Sequence, residues 1–106
     1  MASDRFVSRG GDKLQAALDQ FKINLSGKTI LDVGSSTGGF VDCLLQNGAA
    51  KIYSVDTAYG ELAWKLRQNP KVVVMERTNV LQLTELPEKV DLVTIDAGWT
   101  RLELVL

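Results

Sequence analysis

The sequence predicts an α/β fold built on a mostly parallel, doubly wound sheet. Three observations carry that expectation. Short runs rich in Val and Ile recur along the chain, stretches with helical apolar spacing separate them, and polar or glycine-containing segments follow each run. Alternation of this kind implies right-handed βαβ units, whose ligands bind beyond the carboxyl ends of the strands.

The elements follow in order. Leu14, Ala17, Leu18 and Phe21 fall at i, i+3, i+4 and i+7 and make one apolar stripe of a first helix. Residues 29–33, 51–55, 71–75 and 90–95 are near-continuous apolar runs, the pattern of parallel strands covered on both faces. Between the first two runs, Phe40, Val41, Leu44 and Leu45 predict a second helix, with Gly48 as its stop. Tyr59, Leu62, Ala63 and Leu66 predict a third, ended by Asn69-Pro70, with Trp64 packing across it. The terminal Glu103-Leu104-Val105-Leu106 reads as the opening of a further helical stripe. Four strands are few for a doubly wound sheet, so the domain is expected to be incomplete. Its exposed edge would lie near 90–95, predicting low stability or a homodimer paired through that edge.

Composition narrows the class. A length of 106 residues allows one domain, and 45% hydrophobic with 24% charged residues is the balance of an ordinary globular protein. No stretch approaches the ~20 apolar residues of a membrane span, and the first nine residues lack a signal-peptide core. The single cysteine, Cys43, cannot form an internal disulfide and reads as a packed thiol, in keeping with a cytoplasmic location. With no histidine, His-based triads and His-ligated metals are excluded, and no metal site is expected. A net charge of −1 is a poor electrostatic footprint for gripping nucleic acid, so any such contact must use a local patch or a partner segment.

The chemistry-bearing residues follow the strands. After the first come Gly34, Ser35, Ser36, Thr37, Gly38, Gly39 and Phe40, leading into the second helix. Glycines there permit tight turning and close ligand approach, and the helix start offers free N–H donors. The spacing is Gly-x-x-x-Gly rather than the Gly-x-Gly-x-x-Gly of dinucleotide binders, which favours an amino-acid-plus-nucleoside cofactor over a pyrophosphate. A plain strand-to-helix turn is the competing reading. After the second strand, Asp56, with Thr57 beside it, lies about twenty residues past the loop, where an acid accepts both ribose hydroxyls of an adenosine. That position suits NAD and S-adenosylmethionine alike, and a helix N-cap ahead of Tyr59-Gly60-Glu61 equally.

After the third strand, Thr78 and Asn79 are placed for the adenine edge, with Glu76 and Arg77 pairing structurally. After the fourth, Asp96 is either a carboxylate beside the cofactor's reactive group or a cap for the segment 100–103. Trp99, close by, is a candidate pocket wall. Lys13, at the start of the first helix, opposes the macrodipole at a cost of about 0.3–1 kcal/mol. That small penalty suggests a use for the amine, against the commoner reading of a surface lysine.

Phe6-Val7-Ser8-Arg9-Gly10-Gly11-Asp12-Lys13-Leu14, the 34–40 loop, the run Tyr59-Gly60-Glu61-Leu62-Ala63-Trp64-Lys65-Leu66-Arg67 and Met75-Glu76-Arg77-Thr78-Asn79 go beyond generic signals. Together they resemble the TlyA (haemolysin A) family of ribosomal RNA methyltransferases, relatives of the FtsJ group, over nearly the whole chain from Phe6. The resemblance implies a Rossmann-like S-adenosylmethionine-dependent methyltransferase fold, S-adenosyl-L-methionine as cofactor, ribosomal RNA as partner and ribose 2'-O-methylation as the reaction. It also implies a Lys-Asp-Lys-Glu tetrad around the target ribose, to which Lys13 and Asp96 match as the first two members. By the same resemblance, residues 1–106 are the N-terminal part of an FtsJ-like domain. An S4 RNA-binding domain and the C-terminal half, with the second lysine and the glutamate, are expected outside this chain, which would then bind cofactor without being a competent enzyme. Ala97-Gly98-Trp99-Thr100 departs from the Ser-Phe-type sequence many members carry there.

Two other readings share the fold. An NAD-dependent dehydrogenase fragment would use Asp56 but is disfavoured by the loop spacing. A non-catalytic Rossmann-like binding or assembly module would retain the sheet and lose the cofactor. A membrane-active protein finds no support, since the helical stripes are those of a core.

Overall fold

The computed structural model describes residues 6–79, 88–96 and 102–105, with side chains for 6–79 and 88–95. Its elements are α1 (Arg9–Phe21), β1 (Thr29–Val33), α2 (Gly39–Gln46), β2 (Lys51–Val55), α3 (Trp64–Arg67), β3 (Val72–Met75), β4 (Leu92–Asp96) and β5 (Leu102–Val105). The strands form one sheet in the order β3-β2-β1-β4-β5. β1 through β4 run parallel, as the alternation predicts, and β5 is antiparallel to β4.

That last strand corrects two expectations. Residues 102–105 form no helix, but pair with β4 in a register that matches Asp96 with Leu102 and Val93 with Val105. The run Leu-Glu-Leu-Val suits a strand as well as the start of a helical stripe, and a neighbouring strand with open hydrogen bonds decides between them. β4 is consequently not the edge near which self-association was expected. The outer strands are β3 and β5.

The main core lies on one face of the sheet. Ile30, Ile52, Val72 and Leu92 meet Leu14 and Leu18 of α1, Phe40, Val41 and Leu44 of α2, and Leu62 and Leu66 around α3. The other face carries a smaller cluster of Leu31, Tyr53 and Val55, flanked by the partly buried Val33, Val73, Met75 and Val93. Among the described residues all three helices therefore cover the same face, whereas the apolar strands predicted cover on both.

Helix lengths also differ from the periodicity. α1 and α2 run side by side, with Gly11 against Gly39 and Gln15 against Asn47. α1 has 13 residues and α2 has 8, so the last turn of α1 outruns its partner and leaves Phe21 64% exposed. The buried stripe of α1 is Gly11, Leu14 and Leu18. Since α1 begins at Arg9, Lys13 stands in the second turn, where the macrodipole penalty is weak. α3 has only 4 residues: Leu62 and Leu66 are buried, but Tyr59 lies outside the helix and Trp64 is 70% exposed rather than packed.

Polar side chains, some of them buried, fasten these layers. Asp42 of α2, almost fully buried, accepts the Val7 N–H at 2.8 Å and the Gln46 amide at 3.1 Å, with the Lys65 ammonium 3.7 Å away. At the amino end of the sheet, Glu88 accepts from Lys51 and the Tyr53 hydroxyl, both at 2.9 Å, and from the Thr29 hydroxyl at 3.3 Å. Cys43 is buried in α2, as expected. No helix among the described residues is long and apolar enough to cross a membrane.

Candidate functional site

The strand order places the site. From β1 the chain moves outward through β2 and β3, then returns to the other side of β1 as β4. The switch between β1 and β4 opens a crevice beyond their carboxyl ends. Val33 pairs with both Val55 and Ile95, and Val55 with Met75, so the residues that follow β1, β2 and β3 emerge at one level with Asp96, the last residue of β4. This brings the 34–40 loop, Asp56 and Glu76 to one rim, and sets the Asp96 backbone beside Gly34.

The loop is shaped by three left-handed residues, Gly34 at φ 76°, Ser36 at φ 51° and Gly38 at φ 100°. The Gly34 N–H bonds the Val55 carbonyl at 2.8 Å, and the Gly38 N–H bonds the Ser35 carbonyl at 2.8 Å. The two glycines serve different purposes. Among the described residues a Cβ on Gly34 would meet nothing within 4 Å, so none of them fills the space above it. A Cβ on Gly38 would come within 2.4 Å of Leu66 and 2.7 Å of Leu62. Gly38 is thus a packing glycine that lets α3 close on the loop. Gly39 is likewise crowded, by the Ser8 hydroxyl and the Gly11 nitrogen.

A cleft of about 130 Å³ runs between the start of α1 and this loop, lined by Ser8, Gly10, Gly34, Ser35, Ser36, Thr37, Gly39 and Phe40. Ser8 is the N-cap of α1, yet its side chain makes no capping hydrogen bond. Serine at that position ordinarily accepts, through its side-chain oxygen, a hydrogen bond from an N–H of the first turn. Here the hydroxyl is turned over Gly39 and onto the cleft wall. Sequence reading quoted Ser8 without assigning it a role, and its N-cap position was the available signal.

Around the end of β2, a second, narrow hollow of about 10 Å³ is lined by Ser35, Ser36, Ser54, Asp56, Ala58, Glu61, Leu62, Val74 and Glu76. Asp56 accepts the Ser36 N–H at 2.6 Å on one oxygen and the Ala58 N–H at 3.0 Å on the other. It therefore closes an Asx-type turn. No helix begins there for it to cap, since α3 starts at Trp64. Each carboxylate oxygen keeps a second acceptor site for a hydroxyl donor.

Glu76 accepts from the Gly60 N–H and from the Arg67 guanidinium. The Arg67 hydrogen bond holds its carboxyl below the usual range against the opposing effect of burial, with Gly60 assisting. The predicted pairing with Arg77 is corrected: Arg77 instead stacks on the Tyr59 ring, its guanidinium carbon 4.5 Å from the centroid. Thr78 stitches the rim, donating its N–H to the Asp56 carbonyl and its hydroxyl to the Glu76 carbonyl, both at 2.9 Å. Thr57 and Asn79 are exposed and do not line either hollow.

One buried group was not anticipated. Asp32, in the middle of an apolar strand, is 1% exposed and accepts the Thr94 hydroxyl at 2.7 Å across β1 and β4. A carboxylate inside a Val and Ile run was the signal for it, because burying an acid requires a built partner. β4 continues through Asp96, which pairs with Leu102 of β5, so the segment read as following an Asp96 cap has its residues from Leu102 onward in a strand. The Asp96 side chain and the predicted pocket wall Trp99 lie outside the described residues.

Residues 6–106 match the family of FtsJ-like methyltransferases. The chain is 50% identical over 105 residues to the 16S/23S rRNA (cytidine-2'-O)-methyltransferase TlyA of Mycobacterium tuberculosis, covering 95% of this chain and 38% of that protein. It is 43% identical over 81 residues to Hemolysin A of Brachyspira hyodysenteriae, covering 76% of this chain and 34% of the relative. Among solved structures, a hemolysin-named protein from Lactococcus lactis superposes with a TM-score of 0.83 at 45% identity, over 89% of this chain and 47% of the other. An S-adenosylmethionine-dependent methyltransferase from Mesorhizobium loti shares the fold, with a TM-score of 0.63 at 18% identity. The chain thus spans little more than a third of the length of the curated relatives it matches.

Proposed function

The chain belongs to the FtsJ-like methyltransferase family, and from that premise we propose that it binds S-adenosylmethionine and contributes to methylation of a ribose 2'-hydroxyl in ribosomal RNA. The observation that carries this reading is the pair of adjoining hollows at the switch point, one backed by Asp56 and the other by the open face of Gly34. Their donors and acceptors fit the two ends of such a cofactor. Asp56 retains acceptor sites for ribose hydroxyls, while Ser8, Ser36 and Thr37 line the cleft where an amino-acid end would lie, the Ser35 hydroxyl being donated to the Asp32 carbonyl. The Gly-x-x-x-Gly loop approaches a ligand by backbone rather than by charge, which suits a sulfonium nucleoside better than a pyrophosphate.

When bound, the cofactor supplies an activated methyl group on sulfur. The work left to the protein is to fix the attacking hydroxyl in line and to accept its proton. Lys13 and Asp96 are the residues of this chain proposed for that task, as two of the four tetrad positions. Asp96 ends β4 at the level of Gly34, and Lys13 belongs to the helix whose first turn packs on Gly39. The remaining tetrad positions are assigned to the part of the relatives that this chain does not span.

Calorimetric titration of the 106-residue chain with S-adenosylmethionine, with NAD as control, tests the reading. Binding of S-adenosylmethionine alone is expected, lost in Asp56→Ala. Binding of NAD in preference, or of neither, overturns it.

A further inference from the structure

Beside the two hollows, an exposed ring and a charge are held together on the same rim. Tyr59, in the loop after β2, is 68% exposed. The Arg77 guanidinium packs against its ring at 4.5 Å. Arg77 adopts a left-handed φ of 52° just after β3, and its N–H bonds the Ala58 carbonyl at 3.1 Å. The next residue after Tyr59, Gly60, is fastened to Glu76. The ring is therefore bracketed by backbone hydrogen bonds on both sides while contributing little to the core.

We propose that Tyr59 and Arg77 form a stacking platform for one unpaired nucleobase of a single-stranded RNA, at a nucleotide neighbouring the one that is methylated. The proposal deepens the methyltransferase reading and rests on it for the class of substrate. A nucleotide joins a flat π surface to a phosphate. An exposed tyrosine ring offers the matching face, and a guanidinium both stacks and hydrogen-bonds phosphate oxygens.

Placement separates the platform from the reaction centre. Methyl transfer is proposed at the β1/β4 switch, whereas Tyr59 and Arg77 follow β2 and β3. About one and a half strand spacings separate the switch from β2 and two and a half from β3, roughly 7–12 Å at ~4.8 Å each. That is the reach of an adjacent nucleotide rather than of the target itself. Because every base has a π face, such a platform positions RNA with little sequence preference. It also suits a chain of net charge −1, which carries no excess of positive charge with which to hold RNA.

The test uses the whole 106-residue chain and a short fluorescent single-stranded oligoribonucleotide, beside the same strand with abasic sites. Anisotropy should show Tyr59→Ala weakening binding about fivefold or more, with Tyr59→Trp restoring it. On the abasic strand the wild type and Tyr59→Ala should bind alike. Arg77→Ala should weaken binding and lower the slope of log affinity against log salt by about one. The melting temperature and S-adenosylhomocysteine affinity of Tyr59→Ala should match the wild type. No binding of the strand by the wild type, or equal binding by Tyr59→Ala, overturns the platform while leaving the cofactor titration to judge the methyltransferase reading. A loss confined to S-adenosylhomocysteine would give the ring to the cofactor's adenine instead.

Discussion

The backbone N–H of Ser36 donates to the Asp56 carboxylate at 2.6 Å, tying the loop after β1 to the end of β2. Two segments twenty residues apart in sequence become one wall, and Ser36 is held there in a left-handed conformation. Asp56 is thereby oriented by the protein's own amides, with acceptor capacity left for a ligand. Replacing it with alanine removes both the orientation and the charge. Hydrogen bonds to a charged group are worth about 1.5–3 kcal/mol each, so S-adenosylmethionine affinity should fall by at least about tenfold. Calorimetry checks this, and an unchanged dissociation constant would remove Asp56 from the site.

Gly34 and Gly38 should separate binding from stability. Gly38→Ala forces a Cβ into Leu66 and Leu62 at positive φ, and should destabilise the fold by about 1–3 kcal/mol. Gly34→Ala meets no atom of the described residues within 4 Å, so it should cost less stability and more cofactor affinity. Urea unfolding and ligand titration of both variants would show the contrast, and equal losses in both assays would refute it.

Ser8→Ala should leave thermal stability nearly unchanged, although an N-cap serine is usually worth about 0.5–2 kcal/mol. The reason is that this hydroxyl does not cap α1. If it faces the amino-acid end of the cofactor, the variant should lose affinity for S-adenosylhomocysteine but not for 5'-methylthioadenosine, which lacks that end. Equal losses for both ligands would count against that placement.

Thr94→Val keeps the shape of β4 but strips the Asp32 carboxylate of a donor in the sheet interior. Leaving a buried acceptor short of a partner costs about 1–3 kcal/mol. Denaturant unfolding should show that loss, and a variant as stable as the wild type would mean that Asp32 is satisfied without the threonine.

Acid should loosen both ends of the sheet. The carboxyls of Glu76 and Glu88 are held below the ordinary range, Glu76 chiefly by its hydrogen bond from Arg67 and Glu88 chiefly by that from Lys51. A depressed folded-state value means the folded form binds fewer protons than the unfolded chain. The associated stability is then present above the unfolded value of ~4.3 and is lost as pH falls through the folded value. Glu76→Gln and Glu88→Gln should each flatten the decline in melting temperature below about pH 4. A decline as steep as the wild type's would show that neither pair contributes to it.

Much of this molecule was legible in one dimension. The Val and Ile runs located β1 through β4, because a strand buried in a parallel sheet has no room for polar alternation. The glycine spacing after β1 and the acid after β2 marked the rim, because both are demanded by local backbone and ligand chemistry. Periodicity failed where local pattern was short. Tyr59 shared a helical spacing with Leu62 and Leu66, yet the chain turns through Gly60 at φ 79° and holds that turn on Glu76 before α3 begins. Residues 102–105 carried too little pattern to distinguish helix from strand.

The sequence by itself determined the parallel α/β class, the family resemblance and the loop that would meet a cofactor, since each is written in contiguous residues. Tertiary structure alone decided which partner each charge found. Glu76 met Arg67 rather than its neighbour Arg77, Asp32 met Thr94 across the sheet, and Ser8 turned from its helix to the cleft. Those choices depend on strand order and register, which bring together groups up to 62 residues apart. A hydrogen bond requires its partners within about 3 Å, and only the folded chain fixes which groups meet at that distance.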